Sequence, residues 1–447
     1  MRNYLYIYVL LTTLIFTGCD DELQVSDPTT IGTDQFITDL ATAQQAMDGV
    51  YDAMQSVYVQ GAYPIMSLGL YADEFSHSGS YTLFDEMVLN NVPATNLAVT
   101  YFWSYRYIVI FRANSVINAT QALADVDEAA RNSIIAEAKG IRALMYFDLV
   151  RMFGGVPLPS EDDLVSNNGA ASANVARSTE AEVYQYILND ISDAQGEILE
   201  NDVYHFSDDA LNVLLAEVQM TLGNYEEATA ALENIIGSYS LVESYDAVFT
   251  SSSNTEEIFR IRYSTDDSNN LAFYFYPSAL GGRREVAPEA SFLEAFEDGD
   301  QRINLVTNSD DFSSSYISKY SNVSTGTDQP YVYRYAEVEL LYAELLARSG
   351  DFDGASDYLN NVRNRAGLGD LSLTSENYID LISQERRIEL FAEGKRWYDT
   401  VRLDILDEVV ANKSSSSLNE NRILWPIPQD EINANQALSQ EDQNPGY

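Results

Sequence analysis

Apolar residues recur along much of the chain at three- and four-residue steps, the period of an amphipathic helix. The clearest run is Ile134, Ala138, Ile141, Met145, Leu149 and Met152, which stops at Gly154-Gly155 with Pro157 close behind. Similar patterning predicts helices over 36–57, 99–122, 127–153, 179–200, 376–393 and 395–411. Two long stretches break the helical period. Residues 58–98 are rich in Tyr, Gly and Ser, and residues 240–332 mix short strand-like runs with Gly, Ser and Asp. Long irregular segments flanked by regular scaffold are where function tends to sit.

A repeat is superimposed on this pattern. Ala216, Gly223, Tyr225, Ala228 and Leu232 recur, at one constant offset, as Ala343, Gly350, Phe352, Ala355 and Leu359. The spacing Ala-x6-Gly-x-aromatic-x2-Ala-x3-Leu is the tetratricopeptide pattern. Small residues let two helices approach, the glycine ends the first helix, and the aromatic fills the gap between neighbours. The predicted fold class is therefore all-α: tetratricopeptide-like hairpins forming a right-handed superhelix, with long irregular insertions that carry short strands.

The first residues stand outside that fold. Arg2 precedes an apolar run from Tyr4 to Phe16, which at 1.5 Å per residue reaches about 20 Å, short of a hydrocarbon core of roughly 30 Å. Residues 1–18 read as a secretion signal. Cys19 follows directly and is the chain's only cysteine, which excludes an intrachain disulfide. Phe16-Thr17-Gly18-Cys19 resembles the bacterial lipoprotein box, with Phe16 where Leu is usual. That resemblance implies acylation of Cys19, a lipid anchor in the membrane, and residues 19–34 as a flexible tether. Asp20-Asp21-Glu22 resembles the surface-export signal of Bacteroidota lipoproteins. The formal net charge of -44 excludes nucleic acid as a natural partner, because a phosphate backbone would be repelled.

Five groups of residues carry a wider resemblance. Trp103, Tyr107, Ile110, Ala113, Asn114 and Ile117 form one helix motif, and Phe153-Gly154-Gly155-Val156-Pro157-Leu158 closes the next helix. Arg334-Tyr335-Ala336-Glu337 with Arg363 and Arg365-Ala366-Gly367 mark the late repeat. Glu385-Arg386-Arg387, Glu389-Leu390, Glu393-Gly394, Arg396-Trp397 and Asp399 form the fourth group; Trp425-Pro426-Ile427-Pro428 and Gln443-Asn444-Pro445-Gly446-Tyr447 form the last. Together they resemble the SusD/RagB family of nutrient-uptake outer-membrane lipoproteins. The resemblance implies a lipid-anchored location on the outer membrane at the cell surface. It implies a carbohydrate ligand and a SusC-like TonB-dependent transporter as partner. It divides the mature fold into an N-terminal region, 35–239, and a C-terminal region, 240–447, joined in one unit. A RagB-like peptide binder is the alternative ligand class, and a glycan-cleaving enzyme a distant third. The motif residues themselves read as scaffold: Arg386, Arg387, Glu389 and Glu393 lie at helical spacings that favour ion pairing.

Sugar binding needs aromatic faces edged with polar groups. The chain has 31 Tyr and 3 Trp, and every Trp falls in a scaffold motif, so Tyr and Phe have to build any platform. Three segments qualify. The first holds Tyr63, Tyr71, Asp73, Phe75, Tyr81 and Phe84, with Glu74 and His77. The second is Phe273-Tyr274-Phe275-Tyr276 followed by Arg283-Arg284. Alternation on a strand would place Tyr274 and Tyr276 on one face, and the arginine pair suits an acidic sugar or a peptide terminus unless Glu285 or Glu289 neutralises it. The third is Phe312, Tyr316 and Tyr320, with Tyr331. No catalytic residues, metal ligands or cofactor are assigned. Only His77 and His205 are present, no nucleophile elbow or phosphate loop occurs, and Asp298, Asp300, Asp310 and Asp311 lack calcium-loop spacing.

Overall fold

The structure is a computed structural model that describes residues 36–160, 174–200, 202–251, 253–307 and 313–447. Asp39 opens the first helix: its carboxylate accepts from the Thr42 amide at 2.8 Å and caps α1, Leu40–Met54. Then come α2 (Ala62–Tyr71), β1 (Phe75–His77) and α3 (Thr82–Val88). Two long helices follow, α4 (Leu97–Gln121) and α5 (Glu128–Phe153), started by the Asn96 and Asp127 side chains. α6 (Glu180–Ala194) begins with a capping box between Thr179 and Glu182 and packs along α5.

The repeat pattern emerges as drawn. α7 (Asp208–Leu222) and α8 (Tyr225–Glu233) form one hairpin. After β2 (Glu257–Arg260), the one-turn helix α9 (Leu271–Phe275), β3 (Val286–Pro288), β4 (Val306–Thr307), β5 (Tyr316–Ile317) and β6 (Tyr331–Arg334), the second hairpin is α10 (Tyr335–Ser349) with α11 (Phe352–Arg365). Gly223 and Gly350, at φ 79° and 93°, take the left-handed conformation that ends the first helix of each pair. α8 packs on α10, so the two repeats are stacked. Next come α12 (Tyr378–Glu389) and α13 (Arg396–Arg402), followed by the shorter helices Leu406–Asn412 and Gln429–Ala434. Among the described residues the strands form two-stranded pairs: β1 with β3, β2 with β6, β4 with β5.

Four sequence expectations change at this level. The stretch 58–98, expected to be irregular, holds the two helices Ala62–Tyr71 and Thr82–Val88. The helix expected over 395–411 is two helices, Arg396–Arg402 and Leu406–Asn412, because Asp404 between them sits at φ 57°. The Phe273–Tyr276 run is not a strand. Leu271–Phe275 is one helical turn, closed by the Tyr274 amide donating to Asn270 at 3.0 Å. Helical rotation turns Phe273 outward and leaves Tyr274 and Phe275 buried. Arg386, Arg387, Glu389 and Glu393 do not pair among themselves but with residues on other elements. Arg386 donates to Asp399 at 2.7 Å, and Arg387 lies 3.2 Å from Asp73. Glu389 accepts from Arg334 at 2.6 Å and Arg365 at 2.5 Å, with Arg302 at 3.3 Å. Glu393 accepts from Arg334 at 2.8 Å and Lys319 at 2.6 Å.

The core runs through both regions. Trp397 and Trp425 are wholly buried, and Tyr71 meets them edge-on at 4.7 and 5.6 Å. N-terminal α2 is thereby locked between two C-terminal tryptophans. The same junction carries Asp73, which receives Arg396 Nε at 2.8 Å.

Candidate functional site

Where α2, α3, α4 and α9 meet, tyrosines gather at the surface. Tyr58, in the turn after α1, lies at the centre. Its ring is 4.8 Å from Tyr63, 4.3 Å from Tyr101 and 4.6 Å from Tyr105. Tyr101 and Tyr105 are one turn apart on α4 and so share a face. Tyr63 continues the group to Tyr274 at 5.9 Å, and Tyr274 to Tyr81 at 6.3 Å and Phe273 at 5.3 Å. Tyr58, Tyr63, Tyr81, Tyr101 and Tyr105 are all half-buried, and Phe273 is exposed. Neighbouring planes are inclined by 43° to 89°, so the surface is faceted and not a flat shelf.

The hydroxyls of Tyr58, Tyr63 and Tyr274 hold their protons more tightly than a free tyrosine. Partial burial, then the neighbouring tyrosines, pushes the Tyr58 hydroxyl up to about 12. Burial also raises Tyr63 and, reinforced by the neighbouring tyrosines, Tyr274. At one edge the Arg283 guanidinium lies 3.6 Å over the Tyr81 ring. Its Nε donates to Glu285 at 2.5 Å and its Nη2 to Ser80 Oγ at 3.0 Å.

Of the residues singled out in the sequence, Tyr63, Tyr81, Tyr274 and Arg283 come together here. Others lie beneath. Phe84 is buried 5.6 Å under Tyr63 and supports it. Tyr71, Asp73 and Phe75 are fully buried and have no surface to offer. Tyr71 donates to the Arg422 carbonyl at 2.6 Å, Asp73 grips Arg396 and Arg387, and Phe75 packs on Phe391 at 5.5 Å. Tyr276 and Tyr316 pair at 4.9 Å on the neighbouring edge, where Arg284 Nε donates to the Ser315 carbonyl at 2.9 Å. Tyr320 is buried and donates to the Ala392 carbonyl at 3.2 Å. Tyr331 is buried and donates to the Val248 carbonyl at 2.8 Å. Asp300 is paired with Arg302 at 2.8 Å. Cys19, Asp310, Asp311 and Phe312 lie outside the described residues. Tyr58, Tyr101 and Tyr105 were not singled out from the sequence.

Glu74, beside Asp73, gives a pH signature. Burial, reinforced by the Asp73 charge, pushes its carboxyl up to about 8. An acid raised in the folded state keeps its proton there while the unfolded chain has released it, so its contribution to stability falls as pH climbs from about 4.5 towards 8. Glu74→Gln removes this term. The stability of the variant relative to wild type, measured by urea unfolding, is expected to improve steadily between about pH 5 and 8 and to level off above.

Comparison with known proteins agrees with the fold. A model described as "SusD family" matches residues 308–447, and one described as "Starch-binding associating with outer membrane" matches residues 23–220. SusD-like protein P38 of Formosa agariphila is 27% identical over 493 residues, covering 95% of this chain and 96% of the relative. A SusD-like protein of Bacteroides ovatus is 25% identical, covering 88% of this chain and 81% of its own. Among solved structures, a laminarin-binding SusD-like protein superimposes with a TM-score of 0.77 at 23% identity, covering 92% of this chain and 100% of its own. Surface glycan-binding protein A from Bacteroides thetaiotaomicron, in complex with laminarihexaose, gives 0.76 at 21% identity over 90% of this chain and 99% of its own. A tetratricopeptide-like helical scaffold matched by such models at both ends defines the class, and the chain belongs to the SusD family. Among the described residues, no helix is long and apolar enough to cross a membrane.

Proposed function

We propose that this protein is a cell-surface glycan-binding lipoprotein. It captures an oligo- or polysaccharide on the tyrosine facets and delivers it to a SusC-like TonB-dependent transporter, held to the outer membrane by acyl chains on Cys19. The observation that carries this reading is the run of half-exposed rings Tyr105, Tyr58 and Tyr63, which the buried Tyr274 joins to the half-exposed Tyr81. Ring faces stack on sugar C–H faces, and the hydroxyls between them bond sugar hydroxyls. The inclination between rings suits a chain that curves, and laminarin-binding relatives of the same fold support a curved glucan as the ligand. Glu285, the buried carboxylate at the platform's edge, is engaged by Arg283, His77 and two backbone amides, which supports binding over acid–base cleavage. The Asp73–Arg396 pair and the Trp397–Tyr71–Trp425 stack support regions 35–239 and 240–447 acting as one unit.

The test is native affinity electrophoresis of the mature protein against a polysaccharide panel, with calorimetry against oligopeptides alongside. Retardation by a polysaccharide without loss of polymer length is the expected result. Peptide binding with no polysaccharide retarded would replace this reading with the peptide one.

A further inference from the structure

The platform's edge is organised around a single buried carboxylate. Glu285 has no exposed side-chain surface. Its Oε2 takes Arg283 Nε at 2.5 Å, and its Oε1 takes the Ser80 amide at 2.9 Å, the Tyr81 amide at 2.6 Å and His77 Nε2 at 3.1 Å. Its carbonyl accepts from the Ser78 and Gly79 amides at 3.0 Å each. Residue 79 has to be glycine, because a Cβ there would overlap the Glu285 carboxyl. The loop 78–81 is thus wrapped around this carboxylate, and the wrapping sets Tyr81 under the guanidinium held by the same group. His77 Nδ1 meets Asp85 on its other side.

The arrangement answers how an arginine can sit at a binding surface without becoming an anion trap. Glu285 cancels the charge of Arg283 at contact distance. The Arg283 side chain keeps about 30% of its surface open, and none of its bonds involves Nη1. What remains is a planar donor edge lying on a ring, suited to a pair of sugar hydroxyls. The tyrosines add no charge, and a chain carrying -44 repels polyanions.

Resting on the platform reading above, we infer that the Arg283–Glu285 pair fixes the ligand class as uncharged glycan, with Glu285 as the positioning and specificity-determining residue that excludes uronate- and sulfate-bearing chains.

The test uses the whole mature protein in affinity gels and calorimetry. The panel is laminarin, starch, xylan and mannan as neutral probes, with alginate, pectate and carrageenan as acidic ones. Wild type is expected to be retarded by at least one neutral probe and by no acidic one. Glu285→Gln keeps an acceptor for the Ser80 and Tyr81 amides but frees the arginine's charge. It is expected to raise affinity for an acidic probe at least tenfold relative to the neutral one, with the gain vanishing at high salt. Arg283→Gln is expected to weaken the neutral probe about tenfold and to leave the acidic probes unbound. Wild-type retention by acidic probes overturns the inference. So does a folded Glu285→Gln with an unchanged neutral-to-acidic ratio, or, should that variant not fold, an Arg283→Gln with full neutral affinity. Tyr58→Ala run in parallel separates the two claims. If it binds the neutral probe like wild type, or if no probe is retarded by wild type, the platform reading fails and this inference with it. If it loses binding while Glu285→Gln leaves the charge preference unmoved, only the charge assignment falls.

Discussion

Glu389→Gln is expected to destabilise the protein by about 3–5 kcal/mol, read as a lowered midpoint in urea unfolding at neutral pH. Glu389 has no exposed surface and stands among three buried guanidinium groups: Arg334 at 2.6 Å, Arg365 at 2.5 Å and Arg302 at 3.3 Å. Removing its charge leaves each of them with one carboxylate fewer, in a place where water cannot compensate. Burial by itself would raise the Glu389 carboxyl. Arg365, Arg334 and Arg302 outweigh burial and hold it far below the usual carboxylate range. A depressed acid contributes stability that is complete above its unfolded value and is lost as pH falls below about 4.3 towards the folded one. The wild type is therefore expected to weaken on acidification in this range, and Glu389→Gln to lose part of that dependence. Asp52→Asn is the control. The Asp52–Arg112 pair at 2.6 Å is as short, but its side chains are 65% and 39% exposed, so its loss should shift stability by no more than about 0.5 kcal/mol. Equal effects of the two substitutions would show that the buried cluster is not what holds the C-terminal motif in place.

That motif shows which parts of the molecule were legible in the sequence. The two hairpins were legible because their cause is local: Gly223 and Gly350 have to adopt positive φ, and the small and aromatic residues around them obey one helical geometry. The ion pairs were not, because the partners lie on other elements, most of them far along the chain. Arg396 meets Asp73, and Glu389 meets Arg302 and Arg334. Helical spacing among Arg386, Glu389 and Glu393 pointed to local pairing, and tertiary burial prevailed. The Phe273–Tyr276 run misled for a related reason. Four consecutive aromatics carry no polar positions to mark a period of two against one of 3.6.

The binding surface divides in the same way. Tyr63, Tyr81, Tyr274 and Arg283 stood out because they lie in aromatic-rich segments whose sequence lacks a clear helical period, although Tyr63 and Tyr274 fold into helices. Tyr101 and Tyr105 were overlooked because they flank Trp103 and Tyr107 on a recognisable scaffold helix. Two residues along a helix is a rotation of about 200°, so Trp103 and Tyr107 face one way while Tyr101 and Tyr105 face the other. Trp103 accordingly packs against Phe153 at 5.0 Å, and Tyr101 and Tyr105 reach the surface at Tyr58. Alternate faces of α4 thus hold the fold and offer the platform, and only the first bears a family signature.

Tyr58→Ala and Tyr101→Ala are each expected to weaken glycan binding about tenfold, and the double variant by clearly less than the product of about a hundredfold, while the melting temperature stays within a few degrees of wild type. Tyr58 touches Tyr63, Tyr101 and Tyr105 at once, so its removal also loosens the three rings around it. The two losses are therefore expected not to add, and a double-mutant cycle measured by calorimetry should return a coupling well outside error. Phe84→Ala makes the opposite trade. That ring is fully buried beneath Tyr63, so its truncation should cost stability of about 3–5 kcal/mol before it costs affinity. Tyr58→Phe then separates ring from hydroxyl. If recognition is by ring faces, the variant keeps affinity within about threefold, since a solvent-facing hydroxyl bond lies at the low end of the range, about 0.5 kcal/mol. A Phe variant as weak as the Ala one would instead place recognition in the Tyr58 hydroxyl, and the inclined faces of the rings would be only its support.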